Sequence, residues 1–203
     1  MANAQTRVTP VLQPADETCT ATLEQAAAVF NACLGAGYVT VADLRRIVER
    51  PRQRLWVATV AGKVVGAATA SLLSAEATDR MTAAVNDPVW PEGIVRGPAG
   101  LLQSAAVLEP FRRQGTGSQL IADRRSWFEH GGATVMLALA RTPAPRRRDV
   151  RRPQDTSEGP LRLAGMVPVG TAPRYWAADR SVACSLCRRS CACSATLFAA
   201  ALR

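Results

Sequence analysis

Apolar residues recur along this chain in two rhythms. Between Asp16 and Leu34, the residues Leu23, Ala26, Ala27, Phe30 and Cys33 return at three- and four-residue steps, which predicts an amphipathic helix stopped by Gly35. On that helix Cys19 and Cys33 read as small buried hydrophobes. Thr40 followed by Asp43 has the form of a capping box and opens a second helix, to Glu49, which Pro51 breaks. Short runs without helical period predict strands: Arg7 to Leu12, ended by Pro14, then Leu55 to Val60 and Val64 to Leu73 around a hairpin turn at Ala61-Gly62-Lys63. Ser74 to Ala99 is rich in turn residues and reads as a long loop.

The most organised stretch is Gly100 to Ala140. Leu101 to Leu108 is an apolar run of strand length, Arg112-Arg113-Gln114-Gly115-Thr116-Gly117 is a tight loop, Ser118 to His130 has helical period, and Gly131-Gly132 precedes a second apolar run, Thr134 to Ala140. Two buried strands joined through such a helix form a βαβ unit with near-parallel strands. Glycines at 115 and 117 let a ligand approach the main chain, and the amides from Gln114 to Ser118 open a helix whose dipole favours an anion. Arg112 and Arg113 add positive charge. A pyrophosphate suits such a pocket, although the loop is neither a Walker loop nor GxGxxG. An ordinary βα turn with solvated arginines is the plain alternative.

Val107-Leu108-Glu109-Pro110-Phe111-Arg112-Arg113-Gln114-Gly115-Thr116-Gly117-Ser118 resembles the acyl-CoA loop of the GNAT acetyltransferase superfamily, with its Arg/Gln-x-x-Gly-x-Gly/Ala signature after an apolar strand. The order of elements from about residue 6 to 140 is similar to that family's as well. The resemblance implies a single α/β domain over residues 1–203, with a mixed central β-sheet flanked by helices. It implies an acetyl-CoA co-substrate held by Ala106, Val107, Arg112, Arg113, Gln114, Gly115, Thr116, Gly117 and Ser118, with N–H groups near Ala106 and Val107 steadying the oxyanion. The implied reaction is direct transfer of an acetyl group to a primary amine. Leu161-Arg162-Leu163-Ala164-Gly165-Met166 is similar to the family's Tyr-x-x-x-Gly-Phe segment, with Leu161 where that tyrosine often protonates the departing thiolate. This departure leaves the general acid open, and Ser104, Glu109 and Tyr175 are the weak candidates for proton chemistry. By the same resemblance the 74–99 stretch borders the acceptor groove, where Glu76, Asp79, Asp87 and Glu92 could draw a cationic amine; a solvated loop is the bland reading.

Composition changes this picture at its edges. A chain of 203 residues with 48% hydrophobic content builds one good core. The net charge of +9 suits an anionic ligand and equally permits nucleic acid. The densest charge, Arg146, Arg147, Arg148, Arg151 and Arg152, lies in a Pro- and Arg-rich loop at about 142–159 that reads as a solvated surface. Aromatics make up only 5% and stand away from these arginines, which counts against nucleic acid because single strands need stacking platforms. No apolar run approaches the ~20 residues that span a bilayer, and the N-terminal residues lack a signal-peptide core, so a cytoplasmic protein is predicted. A homodimer is left open.

Cys184, Cys187, Cys191 and Cys193 form C-x2-C-x3-C-x-C, a Cys-rich element at 184–193 that the resemblance does not cover. In a reducing compartment clustered thiols more often hold metal than disulfides, and four thiolates, or three with another ligand, suit a structural zinc or an iron–sulfur centre; free thiols or a redox pair are the alternatives. The lone His130 at a helix end excludes a histidine triad. Two further readings stay open: a catalytically weak CoA-binding sensor, and a nucleic-acid or partner-binding protein using the arginines and a zinc knuckle.

Overall fold

The computed structural model describes residues 10–15, 19–94, 96–142, 157–175 and 193–203. Within them the chain runs β1 (Val11–Pro14), α1 (Thr20–Leu34), α2 (Val41–Val48), β2 (Gln53–Val60), β3 (Lys63–Leu73), α3 (Ala75–Thr82), β4 (Ala99–Val107), α4 (Thr116–His130), β5 (Val135–Thr142), α5 (Glu158–Leu163), β6 (Val167–Ala172) and β7 (Ser194–Ala201). The strands form one mixed sheet in the order β1-β2-β3-β4-β5-β7-β6. Only β4 and β5 run parallel, as the crossover through α4 requires.

Local chemistry sets most boundaries. Thr40 accepts from the Asp43 amide at 3.1 Å while Asp43 accepts from the Thr40 amide at 2.9 Å, so the capping box that starts α2 is closed. The β2–β3 hairpin turns on Ala61 and Gly62, both at positive φ (48° and 75°), the sign a two-residue type I′ connection requires. The stretch read as a loop from Ser74 onward holds a helix, α3. The Ser74 side chain accepts from the Ala77 amide at 3.2 Å and starts it.

Alternation along the strands gives the sheet two buried faces. On one face, Leu120, Ile121 and Phe128 of α4 and Leu161 of α5 pack on Met136, Ala138, Phe198 and Ala200. On the other, α1 and α2 cover β2 and β3 through Leu23, Phe30, Leu44, Leu55 and Val57. A separate cluster on that second face, Val85, Val135, Leu137, Val169 and Leu197, lies under the chain that follows α3. Cys33 is half-buried on α1, but Cys19 is exposed ahead of the helix, its Sγ 2.9 Å from Thr22 Oγ1, and so is not the buried hydrophobe its spacing predicts.

Candidate active site

The glycine loop is a short, stitched connection between β4 and α4. A 3-10 turn at Glu109–Phe111 leads into it. Gln114 Nε2 donates to Pro110 O at 2.9 Å, which fixes the turn. Arg113 (φ 58°) and Gly115 (φ 92°) are left-handed on either side of Gln114, an alternation that turns successive amides inward as an anion-binding nest. Gly115 is the N-cap of α4 and supplies no side-chain acceptor, so the first amides of the helix keep their hydrogen-bonding capacity for a ligand. A Cβ built on Gly115 or Gly117 would meet nothing within 4 Å, so the space over both is open. Thr116 is buried, and Arg113 and Ser118 are exposed at the rim.

Arg112 turns the other way. Its Nε donates to Val107 O at 2.8 Å and its Nη2 lies 3.7 Å from Cys33 Sγ, so it ties the end of β4 to α1.

Beside the loop the sheet opens. β4 pairs with β5 only from Ala99–Val135 to Leu102–Ala138. Beyond that, β5 continues against β7 as far as Thr142, while β4 continues against β3. The cause of the parting is visible in the β3–β4 register, where Ala68 faces Ala105 but Ala70 faces Leu102. Two residues of β4, Gln103 and Ser104, therefore oppose Thr69 alone, a β-bulge that bends the strand. The Ser104 amide donates to Thr69 Oγ1 at 3.2 Å, and the Ser104 hydroxyl lies 2.5 Å from the Tyr38 hydroxyl.

The amides past the bulge can be assigned by alternation. Leu108 N donates to Val65 O at 2.9 Å, so Ala106, two residues earlier, also turns its N–H toward β3. The N–H groups of Ala105 and Val107 face the side from which β5 has withdrawn. Of the two amides predicted to meet a carbonyl, Val107 thus faces the cleft and Ala106 faces β3, while the Ala105 amide also faces the cleft.

The remaining candidates are scattered. Glu109 is exposed in the 3-10 turn, beyond the end of the cleft strand. Tyr175 packs beside Val169 and Ala172, and Leu161 is 6% exposed within the core under α4. Glu76 is exposed, and its carboxyl sits below the usual carboxylate range because it accepts from Ser74 and from its own amide, so it serves the start of α3. A groove of about 540 Å³, lined by Asp79, Thr82 and Arg96 among others, adjoins the start of β4, the opposite end from the glycine loop. His130 is exposed, its Nδ1 2.7 Å from Ser126 O. At 1.5 Å rise per residue it stands about 20 Å from the loop.

Cys193 is buried at the head of β7, whereas Cys184, Cys187 and Cys191 and the arginines 146–152 lie outside the described residues. Among the described residues no three His, Cys, Asp or Glu side chains gather as a metal site. No helix among them is long and apolar enough to cross a membrane.

Sequence reasoning missed Tyr38, Thr69 and Arg124. Tyr38 follows Gly35-Ala36-Gly37, a turn that places an aromatic outside any amphipathic face. Arg124 was detectable, because Leu120, Ile121 and Phe128 put position 124 on the inward face of α4, where an arginine is out of place.

A sheet opened by a bulge beside a glycine loop defines a class of protein, and sequence comparison agrees. The family model described as Acetyltransferase (GNAT) family matches residues 23–149, and the chain belongs to that family. It is thereby an enzyme of the acetyltransferase class. No curated protein matches the chain. Among solved structures it is similar to the aminoglycoside 6'-N-acetyltransferase from Enterococcus faecium (11% identity, 95% of this chain and 97% of that one, TM-score 0.63). It is also similar to the ribosomal-protein-S18-alanine N-acetyltransferase from Escherichia coli (13%, 95% and 94%, TM-score 0.57). A third is a GNAT-like decarboxylase in complex with isobutyryl-CoA (20%, 95% and 100%, TM-score 0.63). At these identities the likeness is one of fold.

Proposed function

We propose that the protein transfers an acetyl group from acetyl-CoA to a primary amine by direct attack, with no acyl-enzyme. The observation that carries this reading is the parting of β4 from β5 at the bulge, immediately beside a loop whose amides are unoccupied by side chains and whose glycines face open space. The loop amides from Gln114 to Ser118 take the pyrophosphate, with Arg113 at the rim. The acyl arm lies along Ala105–Val107, whose outward amides donate to the thioester oxygen as it becomes negative. The amine nitrogen bonds to the carbonyl carbon, the C–S bond breaks, the amine gives up one proton and the thiolate takes one. The Ser104–Tyr38 hydroxyl pair stands at the mouth of the cleft and handles the amine proton. Holding both reactants in one cleft supplies much of the rate.

Calorimetry with acetyl-CoA, followed by thiol release against a panel of small amines and peptides with free N-termini, tests the proposal. Heat on binding with amine-dependent thiol release is the expected result. Binding without release under any amine points to a CoA-binding sensor, and no binding at all removes the reading.

A further inference from the structure

Arg124 is 2% exposed and lies on the sheet-facing side of α4 among Leu120, Ile121 and Phe128. Among the described residues it forms no ion pair. Its Nε donates to Leu120 O at 2.8 Å, one turn back, and its Nη1 to Thr69 O at 3.3 Å. Burial pulls its guanidinium down to about 9, which still leaves it charged at neutral pH. A buried cation without a carboxylate is costly, and a hydrophobe of similar volume in its place would normally stabilise the fold. The partner it has chosen is informative. Thr69 is the one β3 residue that opposes the two bulged residues of β4, so its carbonyl lies where the ladder is irregular. Arg124 reaches that carbonyl from the α4 face. Thr69 Oγ1 accepts the Ser104 amide, and Ser104 meets Tyr38 of the α1–α2 connection. Four residues from four elements thus form one hydrogen-bonded chain through the sheet, at the place where the cleft opens.

We propose that Arg124 is a positioning residue for acyl transfer, acting through Thr69 to fix the β4 bulge and so to aim the Ser104–Tyr38 pair and the Ala105 and Val107 amides. The inference rests on the transferase reading above. Removing the guanidinium takes a donor from the Thr69 carbonyl and slackens the bulge. The anion loop is left alone, because Thr116, the first residue of α4, lies eight residues and about 12 Å along the helix from Arg124.

Arg124→Met, Arg124→Lys, Thr69→Val and Thr69→Ser are compared with the unaltered protein. The readouts are kcat by thiol release with the best amine of the panel, acetyl-CoA affinity by calorimetry, and the Ser104 amide resonance by NMR. Arg124→Met and Thr69→Val are expected to lower kcat about 100-fold, the size of effect a misplacement near 1 Å produces. Acetyl-CoA affinity stays within about threefold, because loop binding is separate from the bulge. The Ser104 amide resonance moves in both variants, and Arg124→Lys and Thr69→Ser recover part of the rate. The inference is overturned if kcat stays within threefold, if the Ser104 resonance does not move, or if rate and affinity fall together with no rescue by the conservative variants. Thr69→Val keeps it testable should Arg124→Met not fold. If the unaltered protein binds acetyl-CoA but releases no thiol with any amine, the transferase reading fails first and takes this inference with it. Rate loss in the variants alone, by contrast, leaves that reading intact.

Discussion

Gly100 and Ser71 set opposite limits on what the core tolerates. A Cβ at Gly100 would overlap the Phe128 ring, because that ring of α4 lies directly against the β4 backbone there. Gly100→Ala is expected to cost about 1–3 kcal/mol through overpacking, read as a lower urea midpoint with unchanged slope. Ser71 is 5% exposed and its hydroxyl has no hydrogen-bond partner among the described residues. Removing a polar group that is buried unpaired relieves a desolvation penalty of about 1–3 kcal/mol, so Ser71→Ala should raise the melting temperature. No change, or a fall, would mean that a partner is present in solution. Leu161 belongs to this scale too. Its burial under α4 means that restoring the tyrosine the family resemblance leads one to expect there would force a hydroxyl into apolar packing.

At the scale of elements, the features the sequence made legible are those written within a few consecutive residues. Thr40 with Asp43, Ala61-Gly62, and the Arg112 to Gly117 loop each carry their instructions locally, and each forms the cap or turn predicted, although Arg112 turns away from the loop. What stayed hidden is assembled from distance: Tyr38, Thr69, Ser104 and Arg124 meet from four elements, and no spacing along the chain encodes that meeting. Helix α3 was hidden differently, because its polar turns sit between Leu73 and the turn-rich run at Asn86-Asp87-Pro88 and only Ser74 marks its start.

The α2 cap gives a pH dependence. The Asp43 carboxyl is held below its ordinary value of 3.8, chiefly by hydrogen bonds from Thr40. A carboxyl lowered on folding stabilises above its unfolded value, and that contribution drains away as pH falls through the folded one. Thr40→Ala should cost about 1 kcal/mol near neutrality and progressively less in acid, measurable as converging melting curves below pH 4. In the loop, Gly115→Ala meets no clash but must adopt φ near +92°. That strain of roughly 1–2 kcal/mol predicts about a 5- to 30-fold loss of acetyl-CoA affinity by calorimetry, through a nest that no longer holds its shape.

For the whole molecule, ligand and fold are linked. Acetyl-CoA at one hundred times its dissociation constant should add about 2.7 kcal/mol, raising the melting temperature by about 5–10 °C for a chain of this size. With a net charge of +9 facing a polyanion, the increment should shrink as salt rises. A melting temperature indifferent to acetyl-CoA would contradict the proposed co-substrate.

The strand order has a cost during synthesis. β7 lies between β5 and β6, so the second edge of β5, Val-Met-Leu-Ala-Leu-Ala from position 135, stays bare until some sixty further residues have left the ribosome. At roughly 5–20 residues per second that is an interval of several seconds in which a sticky apolar strand has no neighbour. A nascent chain halted before Ser194 should therefore recruit chaperones or aggregate, while one extended past Ala201 should release them.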